Sequence, residues 1–373
     1  MPTPPPRDPF LLLIGTGGTI AGVAPGAGDT TGYQAGALSL QQVLATVPGL
    51  DALLPGGTIV TEQYFSIPSE EMTGQHWLLL AHQLRQWLQP PADGGHGARP
   101  VPQAIVITHG TDTLEETSFF LSLVLPQERP VLLTGAMRPA SALSADGPAN
   151  LYDSCRLALA AHRAGVKGTF VCMGGQALRA DAVYKRHANQ VQAFGQRFGQ
   201  PAGWLQADHP DWQQPPSEQA LQGAFAHLPL PAARIRGGDD GAPESSPPAA
   251  LPKVALVQQH VDTDPAIIGW LLTQGYRGLI LAGTGAGTLP SPMRAALARA
   301  RQQGCLVVRA SRLPEGYIGR NTDANPADRD DALDFIASGW LDASKSRILL
   351  QLCLMADLSN TQTIQALFDR CRP

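Results

Sequence analysis

The chain has 373 residues, 43% of them apolar and 16% charged, which excludes a disordered protein and is long enough to predict two domains. Lys plus Arg is 27 and Asp plus Glu is 31, a net charge of −4 with both signs scattered, which argues against a dedicated nucleic-acid binder. No run of about 18 apolar residues occurs, so no membrane-spanning helix is expected.

In chain order, Pro2, Pro4, Pro5 and Pro6 predict a short extended tail. The tail lacks the charged and then apolar regions of a secretory signal, so a cytoplasmic protein is expected. Phe10–Ile14 reads as the first strand. Helices are expected over Ser39–Val47 and Glu70–Leu88, followed by a Pro/Gly loop over Gln89–Pro102. Strands at Ala104–Thr108 and Val131–Thr134 flank a helix over Thr113–Leu123. A helix over Asn150–Ala164 leads to a strand at Thr169–Met173. Ile235–Pro252 is too rich in breakers for helix or strand. A linker over 231–251 therefore separates a domain of residues 10–230 from one of residues 252–373. In the second domain, strands at Val254–Gln258, Gly278–Ala282 and Leu306–Arg309 alternate with helices over Pro265–Gln274 and Pro292–Gln303. A helix over Thr361–Arg370 ends the chain. The strand candidates are continuously apolar, as in strands covered on both faces. This alternation predicts an α/β protein: a larger N-terminal domain with a mainly parallel sheet flanked by helices, and a smaller C-terminal α/β domain.

Cys155, Cys172, Cys305, Cys353 and Cys371 are odd in number, widely spaced and form no CxxC pair. Buried reduced thiols are expected, with neither a zinc site nor a redox motif.

Three glycine turns follow predicted strands, where ligands bind in open α/β sheets. The first, Gly15–Gly22, fails the dinucleotide fingerprint because Ile20 stands at the sixth position. It is either a simple tight turn or a loop presenting Thr19 among convergent N–H groups. The second, His109–Thr113, places Asp112 beside Thr111. Thr111 or, more readily, Thr113 reads as the cap of the next helix, with Glu115 or Glu116 in its first turn. A carboxylate and a hydroxyl at a sheet's ligand end suit capture of an ammonium group and activation of a water. In the third, Gly135–Asn150, Asp146 and Asn150 read as turn and helix-start residues. The later run Gly283–Gly287 lacks the acidic partner of a nucleotide site.

Together TGGTIAG (Thr16–Gly22), ITHGTDTLEET (Ile107–Thr117) and GAMRP…SADGPANLY (Gly135–Tyr152) strongly resemble the bacterial L-asparaginases, of the type II and glutaminase–asparaginase group. The likeness runs nearly the whole chain from Phe10, including Ser346–Gln351 and Thr363–Phe368. It implies hydrolysis of a side-chain amide, L-asparagine first and L-glutamine as a secondary substrate, without metal or organic cofactor. It implies a homotetramer of close dimers, each site closed by a neighbour's smaller domain. Carried over by residue, Thr19 is the expected nucleophile and Tyr33 its activating partner, while Thr111, Asp112 and Lys185 form a second catalytic group. Ser69, Glu70 and Asp112 are expected on the substrate's α-amino and α-carboxylate groups, and the Ala136 carbonyl on its amide. Without the resemblance, Lys185 reads as a solvated lysine and Tyr33 as a loop anchor.

The chain departs from the family pattern at substrate recognition. Glu70 stands where many members have Gln, Pro68 where Gly is common, and Asp262 where Asn is usual. The glutamate that a neighbour supplies to the substrate amine has two candidate counterparts, Asp323 and Asp328. The lack of a basic excess counts against a tRNA-directed amidotransferase. The intact set of reactive residues counts against a sensor that only binds.

Overall fold

Eight successive buried residues, Phe10–Gly17, form β1, as expected of an apolar run sandwiched between layers. A computed structural model describes residues 9–89, 100–207, 209–213, 221–230 and 250–373. The expected N-terminal tail, most of the Gln89–Pro102 loop and the 231–251 linker except residues 250 and 251 lie outside the described residues.

β1 pairs in parallel with β2 (Thr58–Ile67) on one side and β3 (Ala104–Thr108) on the other. β4 (Pro130–Thr134) and β5 (Gly168–Met173) extend the parallel sheet. Helices α1 (Leu40–Leu44), α2 (Gly74–Leu88), α3 (Leu114–Val124) and α4 (Gly147–Arg163) lie on the connections. Beyond β5 the sheet turns antiparallel through β6 (Gln176–Arg179). A separate two-stranded hairpin, β7 (Val183–Lys185) and β8 (Phe194–Gln196), intervenes before β9 (Gly203–Gln206) and β10 (His209–Trp212). The full order is β10-β9-β6-β5-β4-β3-β1-β2. Strand–helix alternation in the sequence covers only the parallel part. At the antiparallel end, β5–β6 and β9–β10 are joined by turns too short for a crossover, β6 reaches β9 through the separate hairpin, and the strands β6, β9 and β10 are four residues long each.

The expected helix over Glu70–Leu88 is split. Ser69–Glu71 form a single 3-10 turn, Met72 is extended, and α2 starts afresh at Gly74. Thr73 causes the restart: its side chain accepts from the His76 N–H and His76 answers the Thr73 N–H, a reciprocal cap. Ser69 and Glu70 therefore stand on a turn ahead of the helix rather than within it.

The described residues fall into two compact units: 9–89, 100–196, 200–207, 209–213 and 222–230 in the first, and 197–199, 221 and 250–373 in the second. In the first, Leu11, Leu13, Val106, Leu132, Leu151 and Phe170 belong to one buried cluster. The second is a parallel sheet in the order β11 (Val254–Gln258), β12 (Gly278–Gly283), β13 (Leu306–Ser311), β14 (Ile336–Ala337). Its helices are α5 (Ala266–Thr273), α6 (Ser291–Gln302), α7 (Asp330–Leu333), α8 (Ala343–Met355) and α9 (Thr361–Phe368). All five cysteines are buried and none is in a disulfide, and burial pushes the Cys172 thiol up to about 12. No helix among the described residues is long and apolar enough to cross a membrane.

Candidate active site

Because β1, β3 and β4 are adjacent and parallel, the loops leaving their carboxyl ends lie side by side. Two of these loops touch through backbone alone. Gly18 has φ +82°, and a Cβ there would come within 2.3 Å of the Gly110 Cα, so no larger residue permits the contact. The approach brings the Thr19 turn against the turn that carries Thr111.

Thr19 is nearly buried, and its Oγ1 lies 2.6 Å from the Tyr33 Oη. Tyr33 reaches it because the chain doubles back: Val23 and Gln34 pair as an antiparallel bridge. Asp29 fixes the reversal by accepting from the Gly32 N–H at 2.7 Å and the Thr31 N–H at 3.0 Å. Those two bonds hold the Asp29 carboxyl below its ordinary range. The Tyr33 ring lies over Gly22, where a side chain would collide with it.

Across the Gly18–Gly110 contact, the Lys185 Nζ donates to the Thr111 Oγ1 at 2.9 Å and to the Asp112 Oδ1 at 2.5 Å. Thr111 is buried, Asp112 exposed and the Lys185 side chain only 16% exposed, so Lys185 is not a solvated surface lysine. Ser69 joins the group: its Oγ accepts from the Asp112 N–H at 3.1 Å, and its carbonyl accepts from the Thr113 hydroxyl at 2.8 Å. Thr113 thus makes no side-chain cap for α3; its hydroxyl has the Ser69 carbonyl instead. Glu70 is exposed on the same turn as Ser69. Several N–H groups of these loops are engaged internally: Gly18 to the Ile67 carbonyl at 3.0 Å, Gly22 to the Thr19 carbonyl at 2.8 Å, and Asp112 to Ser69.

Ala136, in the loop after β4, is fully buried. Asp146 clamps that loop by accepting from the Met137 and Arg138 N–H groups, each at 2.9 Å. Asn150 donates to the Gly135 carbonyl at 3.0 Å. Both residues serve structure, as their turn and helix-start positions suggested.

His109 is wholly buried; its Nδ1 lies 2.8 Å from the Gly110 carbonyl and so donates, while its Nε2 has no partner among the described residues. Burial pushes its pKa from 6.5 down to about 4, against the opposing effect of the Gly110 bond. Between those values the unfolded chain binds a proton that the native protein does not. Stability is therefore full above the unfolded value and falls as pH drops towards the folded one, by about 3 kcal/mol in all. Urea midpoints at about pH 7 and about pH 4.5 should differ less in His109→Gln than in wild type; identical acid losses would remove His109 as the cause.

Asp262, Asp323 and Asp328 belong to the second unit. Asp262 is exposed in a left-handed turn at φ +61°, a conformation that Asn and Asp tolerate best. Asp323 and Asp328 both face Arg294 of α6, at 2.6 and 3.4 Å, and line a cavity of about 180 Å³ in that unit. The Gly283–Gly287 run closes a tight turn bridged by Thr284 and Thr288.

One participant was not read from the sequence as more than a first-turn acid. Glu115 accepts from the Lys185 backbone N–H at 2.5 Å. The two residues are 70 positions apart, and no motif spacing links them.

Residues 10–218 match the family model of the asparaginase N-terminal domain, and residues 253–368 that of the glutaminase/asparaginase C-terminal domain. A Haemophilus influenzae protein named "Probable L-asparaginase periplasmic" is 32% identical over 97% of this chain and 93% of its own length. A glutaminase-asparaginase of Acinetobacter glutaminasificans is 30% identical over 96% of this chain and 98% of its own. The solved structure of a "Probable Cytoplasmic L-asparaginase" from Campylobacter jejuni aligns with a TM-score of 0.81 at 30% identity, covering 98% of this chain and all of that one. Matched in both halves and along nearly its full length, the chain belongs to the glutaminase/asparaginase family of amidohydrolases.

Proposed function

We propose that this protein hydrolyses L-asparagine to L-aspartate and ammonia through Thr19, with L-glutamine as a secondary substrate. The observation that carries the reading is the pair of hydroxyl systems on either side of the Gly18–Gly110 contact: Thr19 with Tyr33, and Thr111 with Lys185 and Asp112.

A threonine hydroxyl is a weak nucleophile and needs a proton acceptor at hydrogen-bond distance, which the Tyr33 Oη provides. The Thr19 Oγ1 bonds to the amide carbon, the C–N bond breaks, and the nitrogen leaves as ammonia with its added proton. Thr111, Lys185 and Asp112 then take a proton from water as it attacks the ester, and that proton passes to the Thr19 oxygen as its bond to the acyl carbon breaks, which restores the hydroxyl and releases L-aspartate. The developing oxyanion is met by N–H groups of the two turns that the loops do not engage internally. Ser69 retains its hydroxyl proton for the α-carboxylate, since its oxygen already accepts from Asp112. Glu70 and Asp112 meet the α-ammonium, and the Ala136 carbonyl meets the amide. The catalytic groups lie in the N-terminal domain, residues 10–230. The domain of residues 252–373, through Asp262, Asp323 and Asp328, closes a neighbour's site in a homotetramer. Self-association is supported by the uncovered edge strand β11, with Leu256 at 38% exposed, and by Trp270 on α5 at 56%. A fully active monomer in light scattering would end that part of the reading. The buried thiols, none of them in a disulfide, agree with a cytoplasmic protein.

Ammonia release from L-asparagine and L-glutamine tests the reading, with greater kcat/KM expected for asparagine; no release from either amide would overturn it. Glu70→Gln should weaken both substrates by about 1–2 kcal/mol, because a charge-assisted contact to the ammonium becomes neutral. The loss should be larger for glutamine, whose extra methylene leaves its amine less room to adjust. An unchanged ratio of kcat/KM values would move selectivity away from Glu70.

A further inference from the structure

We propose that Glu115 is a positioning residue for Lys185, an inference that rests on the catalytic reading of that lysine. Among the described residues β7 pairs with β8 alone, and its outer edge has no strand neighbour. The Arg186 N–H donates to the Ala193 carbonyl on the β8 side at 2.7 Å. N–H directions alternate along an antiparallel ladder, so the Lys185 N–H faces away from β8. There it meets the Glu115 Oε2 at 2.5 Å.

Glu115 lies in the first turn of α3, directly after the Thr111–Asp112 turn. A carboxylate at that end of a helix is favoured by the helix dipole. One rigid element thus carries Thr111, Asp112 and the oxygen that holds the Lys185 main chain. The Nζ is fixed from both ends: its backbone by Glu115, its head by Thr111 and Asp112. Without Glu115 the end of β7 loses its tie to α3, and the ammonium shifts relative to both partners.

The claim concerns reach and an acceptor oxygen rather than charge, which gives a test that ordinary destabilisation would not reproduce. Glu115→Gln keeps the length and an acceptor, and kcat should stay within about threefold of wild type. Glu115→Asp keeps the charge but withdraws the oxygen by one methylene, and kcat should fall about 10- to 100-fold with KM little changed. Should Glu115→Ala fail to fold, the Gln and Asp variants still decide the matter. The double variant Glu115→Asp/Lys185→Met should be no slower than Lys185→Met alone, because both changes remove one function. A wild-type rate in Glu115→Asp, with Lys185→Met slow, would overturn the role of Glu115 alone. So would a slow Glu115→Gln, or losses that multiply in the double variant. A wild-type rate in Lys185→Met would instead overturn the catalytic reading of the lysine, and this proposal with it.

Discussion

Thr19→Ala should lose about a thousandfold or more in kcat, a barrier increase of about 4 kcal/mol, while asparagine binding and the fold persist. The hydroxyl is needed in the transition state and does little for packing. Its side-chain hydrogen bond is to Tyr33, and Gly18 and Gly110 set the position of the turn whatever side chain follows. KM should therefore change far less than kcat. Thr19→Val, which replaces the hydroxyl by a methyl of similar size, should behave the same way and excludes a cavity as the cause. Activity within about tenfold of wild type, about 1.4 kcal/mol, would place the nucleophile elsewhere.

Lys185→Met should lower kcat by about 10²- to 10⁴-fold, the range of a lost proton-transfer partner. Its effect on stability should be small. The Asp112 side chain is 62% exposed, so water can solvate the carboxylate that loses its partner, and pairs of this kind contribute about 0–1 kcal/mol. Thermal unfolding and steady-state kinetics on one preparation separate the two effects. A large drop in Tm with an unchanged kcat would return Lys185 to a structural role.

The strands legible in the sequence are those whose residues form a short, mostly apolar run, whether fully buried like β3 or half-exposed like β11. β3 and β11 run over Ala104–Thr108 and Val254–Gln258 as the apolar runs imply, while β1 and β13 extend past their predicted ends into polar or glycine residues at the ligand side. β2 escaped because Thr58, Thr61, Glu62, Gln63 and Ser66 break the apolar pattern of a strand that lies at the sheet edge and is only partly buried. α8 escaped for the opposite reason. It is buried on nearly every side, so its sequence has little amphipathic period, and it hides Lys345 completely beside Asp342 at 3.0 Å. In the site, Thr19, Thr111 and Asp112 were legible from glycine turns at strand ends. Tyr33 and Lys185 entered only through family resemblance. They lie 14 and 74 residues from Thr19 and Thr111, and the folds that join them, a loop reversal and an isolated hairpin, leave no periodic trace. Glu115 was hidden because its partner is a main-chain N–H, which every residue but proline carries.

Acid quenching during turnover, followed by peptide mapping, would trap the covalent intermediate. With L-asparagine and Lys185→Met, where water attack should be slowed, an aspartyl ester is expected on the peptide that contains Thr19 and none in Thr19→Ala. An ester on the peptide that contains Thr111, or undiminished hydrolysis by Thr19→Ala, would contradict Thr19 as the nucleophile.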